Sequence, residues 1–136
     1  MNAHELLRFE TTATRQHRDI TEDVRGVVQR SGLAEGLCHV MVMHSTAAVV
    51  VNETADPNVG TDIASALERA VPDRAGWLHD RIDDNASAHI QAALLGPSEC
   101  VPVRSADLVL GTWQRIILME FDGPQTRQVH VQLLPA

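Results

Sequence analysis

Three histidines are the residues in this chain best suited to carry out chemistry. His44 ends an apolar run, His79 follows Trp77 and Leu78 in a polar stretch, and His89 follows a short alanine-rich segment. Neutral imidazole offers a nitrogen lone pair near pH 7. Three imidazoles on one cation leave a coordination position for water or substrate, as in catalytic zinc sites. The sequence therefore predicts a metal centre if the three side chains converge, and otherwise core-edge or surface histidines that satisfy hydrogen bonds.

No two of these histidines have the His-x-x-x-His spacing of a helical zinc motif, so the prediction depends on their convergence in the fold. The remaining histidines are expected to bind no metal; they are His4, His17, His39 and His130.

Two carboxylates are candidates for proton transfer. Glu53 follows the apolar segment that begins after His44, and Glu120 ends the apolar run that starts at Ile116. A carboxylate at the end of a buried strand can act as general base, bind Mg²⁺ or orient a ligand imidazole. Arg127, after a Gly-Pro turn, is a candidate anion clamp, with a surface salt bridge as the alternative. Solvated strand ends or arginine partners are the alternatives for the two carboxylates.

The composition excludes several classes of function. A net charge of −7 argues against a nucleic-acid partner, because that binding depends on clustered cations. All 11 cationic side chains are arginine, so a lysine Schiff base and a phosphate-loop lysine are both excluded. A phosphate or carboxylate would have to be met by arginine, by backbone N–H groups or by a metal.

The length of 136 residues predicts one domain spanning 1–136. No basic, apolar leader and no membrane-length apolar run is present, which predicts a cytoplasmic protein. Cys38 and Cys100 lie far apart in sequence without a Cys-x-x-Cys pair. Cys38 lies in an apolar strand and is expected to be a small core residue.

Hydrophobic periodicity and turn residues predict mostly strands, with sequential neighbours pairing. The expected fold class is α+β: a β-rich, antiparallel sandwich- or barrel-like sheet with two or three packed helices. Thr21 and Asn85 are predicted to cap the first and third helices. The predicted strands cover about 5–12, 37–43, 47–51, 99–104, 108–120 and 126–134, and the predicted helices about 21–31, 57–71 and 85–95.

Several short motifs, in order along the chain, resemble those of the YjbQ-like family, also called the secondary thiamine-phosphate synthase family. They are His44-Ser45-Thr46-Ala47, Asn52-Glu53-x-x-Asp56-Pro57-x-Val59-x-x-Asp62, Trp77-x-His79, Asn85-x-x-Ala88-His89, Leu110-Gly111-Thr112-Trp113-Gln114, Glu120-x-Asp122-Gly123-Pro124 and Arg127. Each motif alone is weak, but their shared order is specific.

The resemblance implies a compact β-rich fold, a homotrimer, and a cleft in which His44, His79 and His89 bind a metal, usually zinc. It implies that four further polar residues lie beside the site: Glu53, Asn85, Gln114 and Glu120. Gln125 stands where the family often has arginine, which leaves Arg127 as the anion-binding candidate.

The resemblance also implies thiamine-phosphate synthase activity, described as secondary. Such an enzyme joins an aminopyrimidine diphosphate to a thiazole phosphate and releases pyrophosphate, typically with Mg²⁺ held by carboxylates. The resemblance therefore implies a small phosphorylated or anionic substrate. The alternatives are a metal-dependent hydrolase, a non-catalytic trimeric module that binds a metal or small anion, and a purely structural trimer.

Overall fold

The computed structural model describes residues 3–136, and every structural statement below concerns that part of the chain. The strands are β1 (His4–Glu10), β2 (Gln16–Asp19), β3 (Gly36–Val42), β4 (Ala47–Asn52), β5 (Ser98–Arg104), β6 (Asp107–Leu108), β7 (Arg115–Glu120) and β8 (Thr126–Pro135). The helices are α1 (Thr21–Ser31), α2 (Asn58–Ala70) and α3 (Ala86–Leu95), with a 3₁₀ helix at Leu78–Arg81.

The strands form two antiparallel sheets. One sheet has the order β1-β8-β3-β5-β6 and the other the order β2-β7-β4. The two sheets and α1 enclose the main core, whereas α2 and α3 pack a second, smaller cluster against the opposite face of β4 and β7. This arrangement confirms the expected α+β class with a sandwich-like arrangement of antiparallel strands.

Alternation along β3 determines which side chains reach the core. Cys38, Val40 and Val42 are buried, whereas Leu37 and Met41 point to the outer face. The period of two is what a strand with one buried face requires. Burial, with a smaller contribution from Cys100, raises the pKa of the Cys38 thiol to about 12, so this thiol stays protonated as a core residue.

The strand prediction was wrong in two places. The segment predicted as one strand over 108–120 is divided into β6 and β7 by a loop, and β2 was not predicted. β2 carries the polar sequence Gln-His-Arg-Asp. It pairs with β7 through its backbone, which periodicity does not reveal.

The predicted side-chain caps were also wrong. The Thr21 hydroxyl accepts a hydrogen bond from Ile116 N–H at 2.8 Å instead of capping its own helix. The first turn of α3 is capped from a distance, since Asp80 Oδ1 accepts the Ala86 N–H at 2.9 Å while Asn85 makes no capping bond.

Asp19 anchors β2, α1 and β7 together. Its carboxylate accepts Thr21 N–H at 2.9 Å, Thr54 Oγ1–H at 2.7 Å and Arg115 Nε–H at 2.7 Å. Partial burial acts to raise the pKa of Asp19, but the bonds from Arg115, Thr21 and Thr54 outweigh it and lower the pKa from 3.8 to about 2.

Asp19→Asn is therefore expected to lower the free energy of unfolding at pH 7 by about 1 kcal/mol, after allowance for solvent screening. Because the folded-state pKa lies below the unfolded value, this stabilisation is present above pH 4 and is lost as the pH falls from about 4 towards 2. Urea unfolding at several pH values measures it. The exposed Asp62→Asn is the control, and an equal effect of both changes would contradict the assignment.

Candidate functional site

His79 and His89 meet where the 3₁₀ helix packs against α3. Their ring centroids are 4.8 Å apart and the ring planes are nearly perpendicular, at 87°. The Nε2 atom of His79 is buried and has no hydrogen-bond partner among the described residues. The Oδ2 atom of Asp83 lies 3.7 Å from it, beyond hydrogen-bonding distance. A buried imidazole nitrogen without a partner is an unsatisfied polar atom, which is rare in folded proteins.

His44 lies in the turn between β3 and β4, against β8. Its Nε2 accepts the Gln128 N–H at 3.0 Å, so Nδ1 carries the proton of the neutral ring. Burial lowers the pKa of His44, and the positive charge of Arg127 lowers it further, with a partial offset from Glu120. The ring is accordingly held in its neutral form.

A cleft of about 280 Å³ joins His44 to His89. Its other lining residues are small: Ser45, Ala47, Ala92, Ala93 and Pro97. The fold thus brings the three predicted histidines into one neighbourhood, with His79 against His89 and His89 across the cleft from His44. Among residues 3–136, however, no group of three histidine, cysteine or acidic side chains stands ready to hold a metal ion.

Asn85, Asp80 and Asp122 form a polar cluster at the beginning of α3. Asn85 Nδ2 donates to Asp122 Oδ2 at 2.9 Å. The Asn85 Oδ1 and Asp80 Oδ2 atoms are buried without a partner in the described structure. Local sequence patterns carry no signal for the role of Asp80, because it lies six residues before the amide that it caps, outside the usual N-cap spacing.

Glu120 and Arg127 form a buried ion pair beneath His44, and both side chains are only 1% exposed. Arg127 Nη2 lies 2.6 Å and Nε 2.7 Å from Glu120 Oε2. Thr46 Oγ1 accepts from Arg127 at 2.8 Å, and Thr11 Oγ1 donates to Glu120 at 3.0 Å. These contacts occupy the groups that a proton-transferring carboxylate and an anion clamp would need free, so the pair positions the site and does not face the cleft.

Glu53 and Gln114 lie at the other end of the same strands. Ala47 pairs with Glu120 and Asn52 with Arg115, so five residues at about 3.3 Å each separate the two ends by roughly 17 Å. Gln114 Oε1 accepts the Gly111 N–H at 2.8 Å and closes a turn. Within one chain, therefore, the fold does not bring Glu53 or Gln114 to the histidines.

A larger cleft, of about 590 Å³, has a different character. It lies between the ends of β3, β5 and β8, and its walls are mainly aliphatic side chains and prolines without a histidine. No helix within 3–136 is both long enough and apolar enough to cross a membrane.

The family model for YjbQ-like UPF0047 proteins matches residues 5–136. The chain belongs to the YjbQ-like UPF0047 family. A UPF0047 protein of Archaeoglobus fulgidus is 47% identical over 116 residues, which cover 85% of this chain and 89% of that protein. The UPF0047 protein YugU of Bacillus subtilis is 34% identical over 131 residues, covering 94% of this chain and 96% of YugU.

Solved structures of similar proteins share the UPF0047 fold seen here. A YbjQ-like protein of unknown function from Sulfolobus solfataricus P2 has a TM-score of 0.94 at 38% identity, covering 98% of this chain and 96% of that one. A hypothetical protein from Aeropyrum pernix K1 has a TM-score of 0.93 at 35% identity, covering 98% of both chains. These comparisons establish the family and the fold; they assign no reaction.

The buried ion pair generates a stability prediction. Glu120→Gln or Arg127→Met leaves one buried charge without its partner, so each is expected to lower the free energy of unfolding by about 3–5 kcal/mol. Urea denaturation measures this loss. Arg30→Met, which breaks the exposed pair with Glu5, is the control and should have a much smaller effect. Losses no larger than that of the control would show that the pair does not hold this region together.

Proposed function

We propose that the chain is a metal-dependent enzyme whose divalent ion is bound by His44, His79 and His89. The observation that supports this most directly is the contact between His79 and His89, which leaves the buried Nε2 of His79 without a partner. A set of imidazole donors without thiolates is typical of catalytic zinc sites. The residues fit such an ion by donor chemistry, and His44 would join it after releasing the Gln128 N–H.

A zinc ion held there would polarise a substrate oxygen or lower the pKa of bound water towards 7. The surrounding residues give the site its shape. Asp80 caps α3 and ties the 3₁₀ helix to it, which sets His79 against His89. Asp122 holds the Asn85 amide at the beginning of α3, on the side of a polar cleft separate from the one that joins His44 to His89.

These features favour hydrolysis over transfer of a diphosphate-activated group. Thiamine-phosphate synthesis would require neutralisation of a leaving pyrophosphate, supplied by cationic side chains or by Mg²⁺ on free carboxylates. Arg127 and Glu120 are already paired with each other. We therefore propose a zinc-dependent hydrolase, and a non-catalytic metal-binding module is the outcome if zinc binds without turnover.

Zinc content tests this proposal. After zinc loading and dialysis, the wild-type chain is expected to retain about one ion per chain, the stoichiometry of a three-ligand catalytic site. His79→Ala and His89→Ala should lose it because each removes a ligand, and His44→Ala should weaken retention. Elemental analysis gives the stoichiometry.

His17 on β2, in the smaller sheet, offers a matched control, and His17→Ala should keep the ion. Stoichiometric zinc in His79→Ala, or its loss in His17→Ala, would contradict the three-histidine centre.

We also propose that the chain assembles as a homotrimer. Apolar side chains 40–60% exposed lie on the outer face of the five-stranded sheet; they are Leu6, Leu37, Met41, Met43 and Leu134. A contiguous apolar patch of this kind is typical of a protein–protein interface, and cyclic symmetry closes such assemblies.

The expected mass in solution is accordingly three times 14.9 kDa. Met41→Glu places a charge in this face and should shift the mass towards one chain, whereas Ala66→Glu on the exposed side of α2 should not. Light scattering after size exclusion measures both. A monomeric wild type would end this proposal without bearing on the zinc site.

A further inference from the structure

We infer that the cleft between His44 and His89 binds small molecules that combine an oxygen donor with a short apolar group of about two to four carbons. This inference names the ligand class of the site, and it rests on the proposed function only for the metal that the oxygen would meet. It differs from the phosphorylated substrate expected from the sequence.

The walls of the cleft are mostly apolar. Ala47, Ala92, Ala93 and Pro97 present hydrocarbon, and Ser45 is the only lining hydroxyl. The two imidazoles are the only ionisable side chains that line it. An alkyl group placed here leaves water for an apolar surface, which is favourable by about 0.8 kcal/mol per buried CH₂.

The charged side chains near the cleft are already paired with one another. The nearest buried cation on the histidine side, Arg127, is neutralised by Glu120 at 2.6 Å. Arg15 and Arg74 line a separate polar cleft and pair with Asp73 and Asp84. Among the described residues, therefore, no guanidinium lines the histidine cleft. The protein side chains offer a phosphate no bidentate partner there, and their main contribution to selectivity is apolar contact.

The size of the cleft limits the ligand further. Its volume of about 280 Å³ equals roughly nine water molecules at about 30 Å³ each. An oxygen-bearing head group with two to four carbons fits this space. A pyrimidine diphosphate beside a thiazole phosphate does not.

The test uses zinc-loaded protein and hydroxamic acids, which bind zinc through two oxygens as the hydroxamate anion, with loss of the N–OH proton to the buffer. Butyrohydroxamic acid buries two more CH₂ groups than acetohydroxamic acid and should bind about tenfold more tightly. Calorimetric titration in one buffer gives the two dissociation constants.

Ala93→Leu is the informative variant, because Ala93 lines the cleft and is exposed on α3, where a larger side chain is tolerated. It should abolish the tenfold gain while leaving zinc content and acetohydroxamic acid binding unchanged. Ala66→Leu, exposed on α2, is the matched control and should keep the gain. Equal binding of the two hydroxamic acids by the wild-type chain, or a gain that survives Ala93→Leu, would overturn the inference.

A second measurement separates this inference from the proposed function. If the chain retains no zinc, the metal proposal fails, and the cleft is then probed in the metal-free protein with butyramide and acetamide by NMR. Shifts of the Ala92 and Ala93 amides that favour butyramide, and that Ala93→Leu removes, would support the inference on its own. Shifts caused equally by both amides, or by pyrophosphate alone, would reject it.

Discussion

The buried ion pair between Glu120 and Arg127 is the constraint on which the candidate site depends. It joins the end of β7 to the beginning of β8, and the Thr46 hydroxyl extends it to the turn that carries His44. Two charges removed from water are tolerated only when their remaining hydrogen-bonding groups are satisfied. The threonine hydroxyls and the Thr46 carbonyl meet that requirement, so these three segments have little freedom to separate.

The position of His44 follows from this pair. Gln128 is the residue after Arg127, and its N–H is the donor that fixes the Nε2 atom of His44. Gly123 lets the backbone after β7 lie close to the Glu120 carboxylate, because a Cβ on Gly123 would be only 2.7 Å from Glu120 Oε1. The ion pair therefore fixes the backbone segment that holds His44, while burial, and to a smaller extent the charge of Arg127, lowers the pKa of its ring.

Local sequence signals predicted the strand that precedes His44 and the helix that bears His89, but neither the 3₁₀ helix that bears His79 nor the contacts that join the three. The apolar alternation of β3 and the Gly32 that ends α1, with φ 75°, could be identified from the sequence because each acts within a few residues. The contact between His79 and His89 depends on how the 3₁₀ helix packs on α3. The cap from Asp80 and the unpredicted strand β2 likewise arise from tertiary pairing, which a single sequence does not encode in its periodicity.

The same distinction explains why Arg127 and Glu120 suggested a substrate site. A carboxylate at a strand end and an arginine after a turn have the same local sequence whether they face a ligand or each other. The two residues are seven positions apart and meet where the chain passes from β7 in one sheet to β8 in the other, and burial there makes them partners of each other. Once the guanidinium is neutralised in this way, the cleft keeps imidazoles and hydrocarbon as its main recognition elements. Its preference must then come from shape and apolar contact more than from charge, which is why ligand size and polarity are the properties that discriminate between the remaining functions.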